Sequence, residues 1–179
     1  VTCPAYGQAF SRTLLVGPLL ATDRPASQRL GQAGRVIYSS LDDIDTGGWA
    51  SRFKPIEHTY QVGIVYGVRP ASDGLGQRKA EMEVLLVDVF RCNKDRLNLF
   101  KGEMFAKFGV PSDRFESIWE FEEYVRLAEP AYEAMHAIGC RGAPDEPLVL
   151  LSHEYMGLPL ALKAIMAGPA GVHTVFYAH

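Results

Sequence analysis

Residues 148–179 constrain the fold more than any other stretch of the chain. Leu148-Val149-Leu150-Leu151 is an apolar run of strand length, and it stops at a polar cluster, Ser152-His153-Glu154-Tyr155. Met156 to Gly168 then follows a helical pattern, with Pro159 tolerated in its first turn and Gly168 as its stop. A second apolar strand, Val172 to Ala178, leads to His179. Strand, helix, strand is a βαβ unit, and two parallel strands need such a crossover. Open parallel sheets hold ligands outside the carboxyl ends of their strands. His153, Glu154 and His179 are therefore expected to gather on one edge, where function is to be sought.

The rest of the chain repeats this alternation. Thr13–Leu20, Val36–Ser39, Val62–Val68 and Glu81–Phe90 read as strands, with a turn-rich loop over Pro70–Gly76. Trp49–Tyr60 reads as a helix interrupted near Pro55. Lys94–Phe108 places Leu97, Phe100, Met104 and Phe108 on one helix face. Ser112–Ile138 is a longer helical pattern expected as two pieces, with a kink or break at Pro130. The class this implies is α/β, with a mainly parallel sheet and helices on both faces.

At 179 residues the chain has the size of one domain, 1–179, with 47% apolar and 22% charged residues. A net charge of −3 offers no support for nucleic-acid binding or for an anionic membrane surface. Cys3, Cys92 and Cys140 are odd in number and lack metal-type spacing, which fits a reduced, cytoplasmic setting. No apolar run has the length of a membrane helix, and no charged start before an apolar core marks a signal peptide. Asp42, Asp43 and Asp45 resemble a calcium loop only superficially, since Phe53 stands where the twelfth ligand belongs. His58, His136 and His173 are dispersed, and Asp88 falls within a strand pattern where a structural hydrogen bond is at least as good a reading as a cleft role.

Several of these segments carry a family resemblance. Ser152-His153-Glu154-Tyr155-Met156-Gly157-Leu158, followed by Val175-Phe176-Tyr177-Ala178-His179, is similar to the His-Glu-Trp or His-Asp-Trp motif of glycogen and starch synthases and to the His-tipped strand that follows it. Leu85-Leu86-Val87-Asp88, then Phe100-Lys101-Gly102-Glu103-Met104-Phe105 and Gly109-Val110-Pro111, resembles the Leu-Leu-Asp strand and Trp-Lys-Gly-Glu-Leu-Trp helix of the eukaryotic-type enzymes. Thr13 to Pro18 resembles their early strand ending in Gly-Pro-Tyr. The four matches run in order over most of the chain.

The resemblance implies a Rossmann-like fold, one half of a two-domain retaining glycosyltransferase of the glycosyltransferase B type. The implied reaction transfers a glucosyl group from a nucleotide-glucose to an α-glucan, with no metal and no other cofactor. Residues 1–179 would be the amino-terminal, acceptor-side domain. They would be a fragment, because no Gly-Gly loop precedes Thr13 and the carboxyl-terminal nucleotide-sugar domain of the same enzyme is not in the sequence. The isolated chain is then expected to be inactive. His179 matches the family's active-site histidine and is the expected catalytic residue, while His153, Glu154 and Tyr155 are expected to touch substrate. A carboxylate accepts hydrogen bonds from sugar hydroxyls, and a neutral imidazole donates or accepts. Glu154 could equally serve only to cap the following helix, and His179 could simply bond a loop carbonyl. Tyr155 and Met156 depart from the family's Trp and, in bacterial enzymes, His. The alternative is a stand-alone α/β binding or interaction module without chemistry, since no nucleophile–base pair stands at a recognisable spacing.

Overall fold

The computed structural model describes residues 10–20, 24–31, 33–72 and 79–178. They fall into two compact units, one made of residues 1–51 and 63–88, the other of 52–62 and 89–179. Helix α2 (Ala50–Tyr60) starts at the end of the first unit's opening segment and runs into the second.

The first unit is a five-stranded sheet built from β1 (Leu14–Pro18), β2 (Arg35–Ser39), β3 (Ile44–Asp45), β4 (Gly63–Ser72) and β5 (Lys79–Asp88), in the order β1-β5-β4-β2-β3. A short helix, α1 (Ala26–Arg29), precedes β2. The sheet departs from the mainly parallel one that the sequence suggests. Only β1 and β5 run parallel, and the β2–β3, β2–β4 and β4–β5 pairs are all antiparallel. The reason is chain length: residues 73–78 are too few for a crossover, so β4 and β5 close as a hairpin, from Ser72 opposite Lys79 to Gly63 opposite Asp88. Pro70 is accommodated inside β4 because β2 pairs only as far as Val68, which leaves that side of Pro70 without a ladder.

One face of this sheet packs Leu19, Leu30, Val65, Met82 and Val84 into a core, with Val36 and Leu86 against it. Gly67 lies on that face because a side chain there would run into the Arg35 carbonyl and Leu30. Arg12 makes a two-pronged ion pair with Glu83 at 2.6 Å, and the Tyr66 hydroxyl donates to the same carboxylate at 2.6 Å. The aspartates of the calcium-like stretch have structural uses. Asp42 pairs with Arg29 and accepts from Ser39, while Asp45 accepts from the amides of Gly47, Trp49 and Ala50 at the start of α2.

The second unit holds α3 (Lys94–Phe108), a 3-10 turn (Ser112–Phe115), α4 (Trp119–Ala137), β6 (Leu148–His153), α5 (Glu154–Ala167) and β7 (Val172–Tyr177). Helix α3 has the span its pattern predicts. Asn93 caps it by accepting from the amides of Asp95 and Arg96, and Gly109 ends it at φ 69. Helix α4 runs through Pro130 without the expected break. Val125, Leu127, Ala128, Ala131, Tyr132, Ala134 and Met135 are all buried along it, and burial on that scale outweighs the roughly 3 kcal/mol a helix-interior proline costs. Helix α2 likewise continues through Pro55.

Helix α4 packs along α5 and touches α3, and ion pairs cross both contacts, buried at Lys101–Glu122 and part-buried at Glu129. Glu122 meets Lys101 of α3 at 2.9 Å, and Glu129 meets Lys163 of α5 at 2.8 Å and Arg96 of α3 at 3.5 Å. Strands β6 and β7 pair in parallel, in register from Leu148 opposite Val172 to His153 opposite Tyr177, with α5 as their crossover. The βαβ reading of residues 148–177 therefore holds. These two strands form a sheet of their own, where the sequence suggests one sheet for all the strands.

Candidate functional site

Strand β6 delivers its chemistry through a sharp strand-to-helix turn. His153 is the last residue of the strand and the N-cap of α5, with φ −88 and ψ 116 and no side-chain cap bond. Glu154 follows at φ 51, in the left-handed region. That conformation costs an acidic residue of the order of 1 kcal/mol, and such strain gathers at functional turns. The helix then returns so close to the strand that a Cβ on Gly157 would lie 2.6 Å from the Ser152 Cα and 2.9 Å from its carbonyl carbon. Glycine is thus the residue that lets the turn close.

The turn leads into two aromatic pairs, one at the carboxyl end of the β6–β7 pair and one between α5 and α4. The His153 imidazole packs edge-on against the Tyr177 ring, with centroids 5.4 Å apart at 63°. Tyr155 packs almost perpendicular to Tyr124 of α4, centroids 5.9 Å apart at 86°. Tyr155 and Tyr177 are 47% and 48% exposed, so each keeps about half its surface for a ligand. His153 and Glu154 are half-buried. Burial first, then the charge of Glu123 and the neighbouring Tyr155, pushes the Tyr124 phenol up from its ordinary value. Beneath the turn Ser152 is 2% exposed and its hydroxyl has no hydrogen-bond partner among the described residues.

The residues singled out in the sequence are thus partly brought together. His153, Glu154 and Tyr155 stand side by side on the turn, with His153, not Glu154, in the capping position. His179 lies outside the described residues. Tyr177 and Tyr124 join the cluster without having been singled out. Tyr177 is placed by the strand register and Tyr124 by how α4 packs on α5, neither of which a motif reveals. Gly157, three residues after Glu154, carried a signal of another kind: a glycine in the first turn of an otherwise apolar helix marks close approach to something.

The side chains at the turn have groups of the kind that bond hydroxyls and cover apolar faces. A carboxylate accepts, an imidazole and phenols donate or accept, and exposed aromatic rings cover apolar faces. Among the described residues no group of three His, Cys, Asp or Glu side chains could hold a metal ion. None of their helices is long and apolar enough to cross a membrane. Against protein-family models, curated proteins and solved structures, the chain matches none.

Proposed function

We propose that this chain is the acceptor-side domain of a retaining glycosyltransferase, resembling the amino-terminal half of glycogen and starch synthases. The observation that carries the reading is the turn at the end of β6. It gathers an imidazole, a carboxylate and exposed tyrosines at the carboxyl edge of a parallel strand pair, the edge where open α/β sheets take their ligands. The parallel β6–α5–β7 unit supports a Rossmann-like half, as far as those strands extend.

In this reading the bond from the glucosyl C1 to the diphosphate oxygen of a nucleotide-glucose breaks, C1 bonds to the 4-hydroxyl oxygen at the end of an α-glucan, and the hydroxyl proton passes to the departing diphosphate. Stabilising the departing diphosphate belongs to a nucleotide-sugar domain beyond this sequence. Tyr155 and Tyr177 offer ring faces to the glucan, and Glu154 and His153 bond its hydroxyls. His179, two residues after Tyr177, would stand beside the anomeric centre.

Two measurements test the reading. Maltooligosaccharides titrated into the chain should shift the His153 and Tyr177 resonances, and His153→Ala with Tyr177→Ala should weaken that binding about tenfold, roughly 1.4 kcal/mol. In the intact enzyme, His179→Ala should lower turnover about 100-fold, roughly 2.7 kcal/mol of transition-state stabilisation, whereas Glu154→Gln should act mainly on acceptor KM. Near-normal turnover of a folded His179→Ala enzyme would reverse the assigned roles. Micromolar binding of a nucleotide-glucose by this chain alone would refute the division of labour between domains.

A further inference from the structure

Gln61, the segment Phe90–Asp95 and Arg126 line an open hollow of about 380 Å³, within the size range of small-molecule sites. Its lining is charged. Arg91, Lys94 and Arg126 face it with a single carboxylate, Asp95, so cations outnumber acids in the lining three to one. Arg91 and Lys94 form no ion pair with any described residue. Like charges crowded around one cavity repel each other, and an anion between them removes that cost.

Arg126 is held ready for such a partner. Its Nε donates to Glu122 at 3.1 Å, its Nη1 donates to the Phe90 carbonyl at 3.2 Å, and its guanidinium lies 5.0 Å from the Trp119 ring centre. Neither hydrogen bond uses Nη2. The fork is therefore fixed in orientation before any ligand arrives, which lowers the entropy lost on binding. Cys92, also in the lining, is nine-tenths buried, and burial raises its thiol pKa, so it adds no negative charge. The amino end of α3 adds its dipole, although Asn93 already occupies the amides of Asp95 and Arg96. Gln61 stands at the rim at φ 54, a left-handed conformation uncommon for its residue type. Phe90 contributes a ring that is 69% exposed and edge-on to Trp119 at 5.8 Å.

We propose that this cavity binds a small organic phosphate, with its phosphoryl group between Arg91, Lys94 and Arg126 and its body against Phe90. A phosphate monoester carries about −1.5 to −2 near neutral pH and three acceptor oxygens, one for each of the three cations. A carboxylate has only two. The proposal goes beyond the glycosyltransferase reading and does not depend on it.

Calorimetric titration of the chain with β-glycerophosphate, inorganic phosphate and glycerol tests it. The expected result is saturable binding of β-glycerophosphate with a Kd of about 1 mM or tighter, weaker for inorganic phosphate and undetectable for glycerol. The double substitution R91A/K94A removes two exposed side chains. It should weaken binding at least about tenfold while the circular dichroism spectrum stays the same. Lys107→Ala, at the other end of α3, should leave binding unchanged. No saturable binding of β-glycerophosphate, or equal weakening in Lys107→Ala and R91A/K94A, would overturn the site. Equal affinity for inorganic phosphate and the ester would overturn the role given to Phe90.

Discussion

Gly157→Ala isolates what holds the turn at the end of β6 together, because two effects of known size oppose each other there. Gly157 is in the first turn of α5, and glycine-to-alanine in a helix ordinarily gains about 0.5–1 kcal/mol. Here the added Cβ would lie 2.6 Å from the Ser152 Cα and 2.9 Å from both its carbonyl carbon and its Cβ. Two of those three atoms are backbone, and Ser152 is locked into the β6–β7 ladder opposite Phe176, so the contact must be relieved by moving the helix. Overpacking of that kind costs about 1–3 kcal/mol, in the upper half where backbone must yield. The net expectation is a loss of about 1–2 kcal/mol. Gly102→Ala is the matched control: it lies inside α3, exposed, with nothing within 4 Å of a new Cβ. It should gain about 0.5–1 kcal/mol. With a urea slope of about 2 kcal/mol/M, the unfolding midpoint followed by far-ultraviolet circular dichroism should fall by about 0.5–1 M for Gly157→Ala. It should rise by about 0.25–0.5 M for Gly102→Ala. A Gly157→Ala midpoint at or above that of the unsubstituted chain would refute the close approach of α5 to β6.

Glu129→Ala should destabilise the chain by about 1–2 kcal/mol, because it leaves Lys163 and Arg96, both partly open to water, without their counter-charge; a loss below about 0.5 kcal/mol in the same urea assay would show that the pairing contributes nothing. Removing both partners with Glu129→Leu and Lys163→Met should recover most of that loss. Tyr66 should be the last phenol to ionise, since burial, then its bond to Glu83 and that group's charge, raise its pKa from 10.0 to about 12. A raised folded-state pKa means this contribution to stability is full below about pH 10 and is lost as pH rises through about 12. Phenolate absorbance should show a late-titrating component that Tyr66→Phe abolishes, and its persistence in that variant would refute the assignment.

Local order was far more legible in the sequence than pairing. Asn93 before Lys94 and Gly109 after Phe108 bracket α3, and both act through neighbouring backbone groups, so the pattern alone bounds the helix. The β6–α5–β7 unit was legible for the same reason, since a helix between two apolar strands leaves little choice but a parallel crossover. The first unit's sheet was not. Alternating strands and helices suggest parallel pairing, but the direction of β4 against β5 is set by the few residues between them. Pro70 made the end of β4 look like loop. At the turn, the identities of His153, Glu154 and Tyr155 were readable, but their aromatic neighbours come from register and helix packing. The cations around the cavity are separated in sequence between Arg91 and Arg126, and only the packing of α3 beside α4 makes them neighbours.

Glu122 and Glu129 are seven residues apart on α4, nearly two full turns, so they emerge on the same side of the helix. Each is clasped by a lysine from a different neighbour, Lys101 of α3 and Lys163 of α5. One residue inserted or deleted between them would rotate the far half of α4 by about 100° and shift it by about 1.5 Å, so both clasps could not close at once. The two carboxylates therefore fix the length of that stretch. The number of residues between positions 122 and 129 is thus as constrained as the buried side chains among them, and a scan of single insertions along α4 should find this interval the least tolerant part of the helix.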